Sequence, residues 1–299
     1  MYETPILLII FNRPEITRQV FNKLNELKPK YLFVAADGPR KDRPEEMAKC
    51  LATREIIKQI DWDCELKTLF REENLGCRLG VSSAIDWFFK NVEQGIILED
   101  DCLPNDSFFE FSQTLLNYYQ KDTRVMHISG DNFQAGIKRG DSSYYFSRFN
   151  HVWGWATWRR AWQLYDLEMK TFAEFKDNNL IANVWSNKKI QKCWLKIFKT
   201  ASEKKIDTWD FQWEYAIVKN NGLCILPKVN LVSNIGFAAD ATHTKLESDL
   251  ANLPTAVLGP MVHPNFVLVD EQADWHSFKK IFYQNIFVKV YQKFLGSFK

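Results

Sequence analysis

The first third of the chain alternates short unbroken apolar runs with longer segments in which apolar residues recur every three or four positions. Pro5 to Phe11 is continuously apolar, the pattern of a strand buried on both faces, and a helical spacing then runs from Asn12-Arg13-Pro14 through Leu27. Tyr31 to Ala36 predicts a second strand that ends at Asp37-Gly38-Pro39, and Pro44 to Ile60 predicts a second helix. Cys64 to Phe70, Val81 to Val92 and Gly95 to Leu98 predict a third strand, a third helix and a fourth strand. This alternation predicts an α/β fold: a mostly parallel, doubly wound central sheet flanked by helices.

Beyond Leu98 the alternation loses its regularity. Asp106 is placed to cap a helix reaching Tyr119, and Val125 to Ile128 has the pattern of a strand. Helix-like spacing returns at Trp155 to Tyr165 and Ile190 to Ala201, and Leu223 to Leu226 and Leu231 to Ser233 predict late short strands. With no internal repeat and no low-complexity linker, one continuous domain over residues 1–270 is expected. A separate tail, 271–299, follows it. From Trp275 onward the chain holds Lys279, Lys280, Lys289, Lys293 and Lys299, eight aromatics and no acid. A basic amphipathic helix of this kind either lies in a membrane interface or packs on the domain.

Composition narrows the function classes. Hydrophobic content of 46% and charged content of 25% over 299 residues are those of a globular protein. The 11 Trp, 10 Tyr and 23 Phe suggest surfaces that use flat side chains, as sugar and nucleobase sites do. A net charge of +2, without a basic run interleaved with aromatics, disfavours a nucleic-acid partner. The six cysteines show neither a CxxC pair nor a zinc spacing, and read as reduced, mostly buried thiols of a cytoplasmic protein. Neither a leader ahead of the first strand nor an apolar stretch of about 18 residues is evident, so a soluble or peripheral chain is expected.

The richest chemical signal is Glu99-Asp100-Asp101, which ends the apolar run of the fourth predicted strand. Open α/β sheets bind ligands beyond the carboxyl ends of their strands. Three adjacent carboxylates repel by about 1 kcal/mol per pair even in water, so a divalent cation or hydrogen-bond donors are expected to offset them. A solvated acidic turn is the plainer alternative. Asn12 and Arg13 follow the first strand and Asp37-Gly38 the second, so all three strand ends lie along one edge. An Arg suits a diphosphate, a lone Asp accepts from a base or ribose, and paired carboxylates hold Mg²⁺ or Mn²⁺. Together they describe a nucleotide diphosphate site. Arg78, just after the Asn74-Leu75-Gly76 turn, is a further candidate for its wall. No GxxxxGK[ST], GxGxxG or GxSxG element is present, which disfavours a P-loop kinase, a Rossmann dehydrogenase and a serine hydrolase.

With these acids, the Asp37-Gly38 turn and the Trp-rich middle, the chain over residues 5–245 resembles the GT-A class of nucleotide-sugar glycosyltransferases. Within that class it is similar to the inverting N-acetylglucosaminyltransferase I family and to bacterial relatives often labelled hemolysin-like. The most specific feature is Glu99-Asp100-Asp101 followed by Pro104 and Phe108-Phe109. The resemblance implies a GT-A, Rossmann-like fold and a hexosyltransferase using Mn²⁺ or Mg²⁺. It makes Asp101 the metal ligand, Glu99 and Asp100 nucleotide or sugar contacts, Arg13 a nucleotide contact and Asp37 the residue beside uracil. The family's base is an Asp directly after a Trp, downstream of a Gly-Trp stretch. Here Trp153-Gly154-Trp155 precedes Trp209-Asp210-Phe211-Gln212-Trp213, so Asp210 matches the base, with Asp207 as its backup. The second Asp of the family segment is replaced, and the next Trp lies one residue farther on. Trp153, Trp155 and Trp209 become candidates for the acceptor or sugar pocket. After Asn234 to Phe237, the loop Asp240 to Thr244 carries His243, which resembles the His that closes many GT-A metal sites.

The implied activity is transfer of a sugar, UDP-linked by preference, from its nucleotide diphosphate to a hydroxyl of a glycan or lipid-linked acceptor with inversion. A bacterial surface polysaccharide and a site on the inner face of the membrane fit the basic tail. Two other classes stay open. A sugar nucleotidyltransferase shares the sheet and the metal but ordinarily carries a glycine-rich loop after the first strand, where this chain has Phe11-Asn12-Arg13-Pro14. A non-catalytic sugar-binding or membrane-active protein fits the aromatics and the tail.

Overall fold

The computed structural model describes residues 2–237 and 250–283. The first half contains β1 (Ile6–Ile10), α1 (Pro14–Leu27), β2 (Tyr31–Ala36), α2 (Glu46–Ile57), β3 (Glu65–Phe70), α3 (Gly76–Asn91) and β4 (Gln94–Glu99). Next come β5 (Cys102–Pro104), α4 (Asp106–Tyr118), β6 (Val125–Ser129), β7 (Tyr144–Ser147), β8 (Trp155–Trp158), α5 (Arg159–Trp162) and α6 (Phe172–Asp177). The described chain closes with α7 (Lys188–Ser202), α8 (Asp210–Lys219), β9 (Leu223–Pro227), β10 (Val232–Asn234) and α9 (Glu271–Phe278).

An eight-stranded sheet in the order β3-β2-β1-β4-β8-β6-β9-β7 forms the centre, and β10 pairs with β5 beside it. β1, β2, β3, β4, β6 and β9 share one direction, whereas β8 and β7 oppose it. The fold is therefore α/β with a mostly parallel sheet, and the first four strands and first two helices fall where the apolar runs predict them.

The period of two within each buried strand divides the core. Ile6, Leu8, Ile10, Val34, Ile96 and Leu98 face the layer made by α1, α2 and α4. Leu7, Phe33, Ala35 and Ile97 face α3, α5 and α8. A third apolar cluster, under α6, α7 and α8, is built on Trp185, Trp194, Phe198 and Tyr215.

Three local expectations are corrected. Trp155 to Trp158 is a strand, not the start of a helix: Trp155 points to one face of the sheet and Ala156 and Trp158 to the other. The apolar spacing of this run suits a helix, but pairing with β4 and β6 on either side decides otherwise. α4 is capped by Asn105, whose side chain accepts from Phe108 N at 3.2 Å, and Asp106 is its first helical residue. α3 begins at Gly76, several residues before Val81, because distant carboxylates cap it where no local side chain does. Trp155 itself is fully buried, stacked on His127 (4.9 Å) and Trp209 (5.5 Å). Trp155→Ala should therefore destabilise the protein by about 3–5 kcal/mol in denaturant unfolding, the cost of a large core cavity.

The C-terminal helix packs on the sheet edge. Asp270 N donates to Phe146 O at 2.8 Å, Gln134 Nε2 reaches Ala273 O at 3.1 Å and Ser277 Oγ at 2.8 Å, and Phe278 and Phe282 join the third cluster. Residues 284–299 of the predicted tail lie outside the described residues. Asp274 is 3% exposed and accepts from Ser147 Oγ and Arg148 N, and burial pushes its carboxyl up to about 7. The folded chain thus keeps a proton that the unfolded chain releases near pH 3.8. By linkage this site's stability contribution is full below that pH and is lost as pH rises toward 7. Asp274→Asn should gain on the wild type between pH 4 and 7, by on the order of 1 kcal/mol per pH unit, in paired urea titrations.

Candidate active site

The carboxyl ends of β1, β2, β3 and β4 converge on a cleft of about 290 Å³ whose walls include Arg13, Asp37, Arg71, Glu99, Asp100 and Asp101. Trp153, Asp207, Gly236 and Phe237 line it from the second half of the chain. Register places the acids: β1 pairs in parallel with β4, bringing Ile9 level with Glu99, so the residues after the two strands emerge side by side.

Arg13 offsets the acidic cluster. Its guanidinium forks onto both oxygens of Asp100, with Nε at 3.3 Å from Oδ2, and reaches Asp101 Oδ2 at 3.1 Å. Burial lowers Arg13, but Asp100 and Asp101 more than reverse this and raise it above its ordinary value. Burial raises Asp100, with Arg13 opposing. Glu99 is raised most in the cluster, to about 8, by burial first and then by the charges of Asp101, Asp100 and Asp210. Burial and the neighbouring carboxylates thus favour the protonated form of Glu99.

Asp101 faces the cleft with 17% of its side chain exposed, against 4% for Asp100. Its backbone oxygen accepts from Ile235 N at 2.9 Å, tying the acidic loop to the segment after β10. Gly236 packs directly on this carboxylate: a Cβ there would stand 2.3 Å from Asp101 Oδ2 and 2.8 Å from Arg13 Nη1. Gly236→Ala must therefore displace the pair, and a loss of nucleotide affinity of about tenfold or more, about 1.4 kcal/mol, is expected by calorimetry.

Asp37 and Asp207 have a different task. Asp37 accepts from Gly38 N (3.1 Å), Asn74 Nδ2 (3.0 Å), Leu75 N (2.9 Å) and Gly76 N (3.1 Å). Asp207 accepts from Cys77 N (3.0 Å) and Arg78 N (2.9 Å). The N–H groups that open α3 are divided between two carboxylates, satisfying the donors a helix start leaves free and opposing its dipole. Burial pushes Asp37 upward while these N–H donors hold it down. Its acceptor sites are occupied within the protein, so it brings charge and shape to the cleft more than a free acceptor for a base or ribose.

The other sequence candidates divide. Trp153 lines the cleft and meets Phe237 edge-on at 5.5 Å. Trp155 and Trp209, at 0% and 2% exposure, are core side chains stacked on each other, which corrects their assignment to a sugar pocket. Arg78 turns away to Leu167 O (3.0 Å) and Glu168 Oε1 (2.7 Å), so it forms no part of the cleft wall. Asn12 precedes Arg13 without reaching that wall. Asp210 opens α8, accepts from Thr208 Oγ1, and is near enough to Glu99 to raise its carboxyl. His243 lies outside the described residues.

Two guanidinium groups of the cleft are absent from the sequence candidates. Arg71 directly follows β3 and donates to Ser83 Oγ at 2.9 Å, and Arg40 lies over the Phe11 ring at 5.7 Å while paired with Glu46. The strand-end position that marks Arg13 marks Arg71 as well, at the end of β3. Cys77 also lines the cleft, and burial beside Glu99, Asp210 and Asp207 raises its thiol, which disfavours it as a nucleophile.

Among the described residues no group of three His, Cys, Asp or Glu side chains is arranged to hold a metal ion. A Mg²⁺-like ion is commonly held by only one or two carboxylates and takes its remaining ligands from phosphate oxygens and water. Asp101, exposed on the cleft wall, meets that requirement. No described helix is long and apolar enough to cross a membrane.

Fold and cleft together define an α/β protein with an acidic and guanidinium-rich site at the carboxyl edge of a mostly parallel sheet. No protein-family model and no curated protein matches the chain. Among solved structures it is similar to an apo UDP-glucose pyrophosphorylase, at 10% identity over 77% of this chain and 93% of that one, with a TM-score of 0.36. It is similar also to mouse xyloside xylosyltransferase 1, at 9% identity over 73% and 82%, TM-score 0.35. HddC from Yersinia pseudotuberculosis overlaps 54% of this chain and 78% of its own at 9% identity, TM-score 0.32. Overlaps of this size decide nothing about activity.

Proposed function

We propose that the protein is a divalent-metal-dependent glycosyltransferase of GT-A type, moving a sugar from a nucleotide diphosphate, UDP by preference, to an acceptor hydroxyl with inversion. The observation that carries this is the junction of Arg13 with Asp100 and Asp101 at the mouth of a cleft that also holds Arg71 and Asp37. A guanidinium clamped between carboxylates, one of them open to the cleft, suits a diphosphate and its cation together.

A bound Mn²⁺ or Mg²⁺ would be held by Asp101 and would supply Lewis-acid neutralisation of the leaving diphosphate. The chain's own residues do the rest. Arg13 faces the diphosphate and is kept in place by Asp100, with Arg71 and Arg40 adding positive charge on the nucleotide side. Glu99, on the cleft wall, offers a hydrogen-bond partner to a sugar hydroxyl. Asp210, at the start of α8 near Glu99, takes the acceptor proton as the hydroxyl attacks the anomeric carbon, and Trp153 with Phe237 offers apolar faces to sugar rings. His243 is a further candidate for the metal. A glycan or lipid-linked acceptor at the inner membrane face suits the basic segment that follows α9.

Calorimetry with UDP and a panel of UDP-sugars, with and without Mn²⁺, tests the proposal. Metal-dependent binding together with slow metal-dependent donor hydrolysis is the expected result. Release of pyrophosphate from a nucleoside triphosphate and a sugar 1-phosphate would point to the nucleotidyltransferase, and no metal-dependent binding would overturn both.

A further inference from the structure

The start of α3 stands between two halves of the cleft, and each half supplies one carboxylate to it. Asp37 comes from the end of β2, and Asp207 comes from the loop that leads into α8. Ordinary helix caps are local side chains, whereas the residues bonded here are separated by up to 39 positions on one side and about 130 on the other. We infer that Asp207 is a positioning residue that sets the register between the nucleotide wall of the cleft and α8, which carries Asp210. This rests on the proposed sugar transfer.

Three features support the assignment. First, Asp207 stands on a rigid post: Trp209, two residues on, is 2% exposed, stacked on Trp155, and its carbonyl accepts from Tyr165 Oη at 3.2 Å. Second, the first turn of α3 is itself cleft wall, since Gly76, Cys77 and Gly80 all line it. Third, the fit is made for a carboxylate against a residue without a side chain. Gly76 has φ of +77°, and a Cβ there would lie 2.7 Å from Asp207 Oδ2. A second tie runs in parallel, from Arg78 to Glu168 and from Glu168 to Lys204 at 2.6 Å. Arg13 and Asp101, which follow β1 and β4, do not depend on this link. Breaking it should therefore spoil the approach of acceptor and base while leaving the diphosphate held.

Asp207→Ala is expected to lower kcat by about 100-fold, the usual cost of misplacing a reacting group by about 1 Å, with the UDP dissociation constant changed less than about threefold. Gly76→Ala, whose Cβ would push on the Asp207 carboxylate, should reproduce the effect with residue 207 unchanged, and Asp207→Asn, which keeps one acceptor oxygen, should recover about tenfold over Ala. A merely stabilising cap predicts a lower melting temperature with kcat of the folded enzyme intact. That result, or an equal loss of kcat and UDP affinity, would overturn the assignment. Should Asp207→Ala fail to fold, Gly76→Ala and Asp207→Asn decide by the same split. Should the wild type transfer no sugar, the proposed function fails and the link is judged by hydrogen exchange in Asp207→Asn or Gly76→Ala. Amides of residues 75–79 should exchange about tenfold faster with 31–36 unchanged, and unaltered exchange would overturn it.

Discussion

Asp101→Ala is expected to reduce turnover by two to three orders of magnitude, about 3–4 kcal/mol of transition-state stabilisation, and to abolish the Mn²⁺-dependent part of UDP binding. The size follows from the residue's position. Asp101 is the carboxylate of the cluster that is both open to the cleft and bonded to Arg13, so its loss would remove the proposed cation's anchor and one of the three hydrogen bonds that hold the guanidinium. Asp101→Asn is the sharper variant, since it keeps the volume that Gly236 packs against and removes the charge. Titrations with and without Mn²⁺ decide the matter. If both variants keep the metal increment in UDP affinity, the metal is held elsewhere or not at all.

Asp210→Asn should lower kcat by about 10²–10⁴-fold, the range for removing a general base, while UDP affinity in Mn²⁺ stays at the wild-type value. The split follows from placement. Asp210 belongs to α8 in the second half of the chain, whereas Arg13, Asp100 and Asp101 follow the N-terminal strands. The two variants thus separate donor capture from proton removal. A normal kcat in Asp210→Asn would remove it from the mechanism and leave the base to be sought among the cleft-lining acids, Asp207 first.

The candidate site was legible where one-dimensional signals coincide with strand ends. Arg13, Glu99, Asp100 and Asp101 each follow an apolar run, and parallel pairing of the strands brings the ends together. Arg71 follows β3 in the same manner, but β3 is an exposed edge strand whose residues are only partly covered, so its end carries a weaker signal. Trp155 and Trp209 misled for a physical reason. An aromatic side chain carries the same sequence signal whether it walls a sugar site or fills a core, and only the packing of β8 between β4 and β6 put Trp155 inside. Arg78 likewise satisfies composition, yet Glu168 and Leu167 O draw it away from the cleft.

Taken by itself, the amino-acid sequence determined the N-terminal alternation of β1 to β4 with α1 to α3 and the edge along which its acids lie. Both depend on local periodicity and on the short range over which backbone hydrogen bonding acts. It did not determine what each carboxylate does. Asp37 and Asp207 carry the same chemical group as Asp101, but the donors of α3 claim the first two while Asp101 keeps a face toward the cleft. A carboxylate's role is set by the donors and charges that folding brings around it from distant parts of the chain, and those contacts exist only in the tertiary structure.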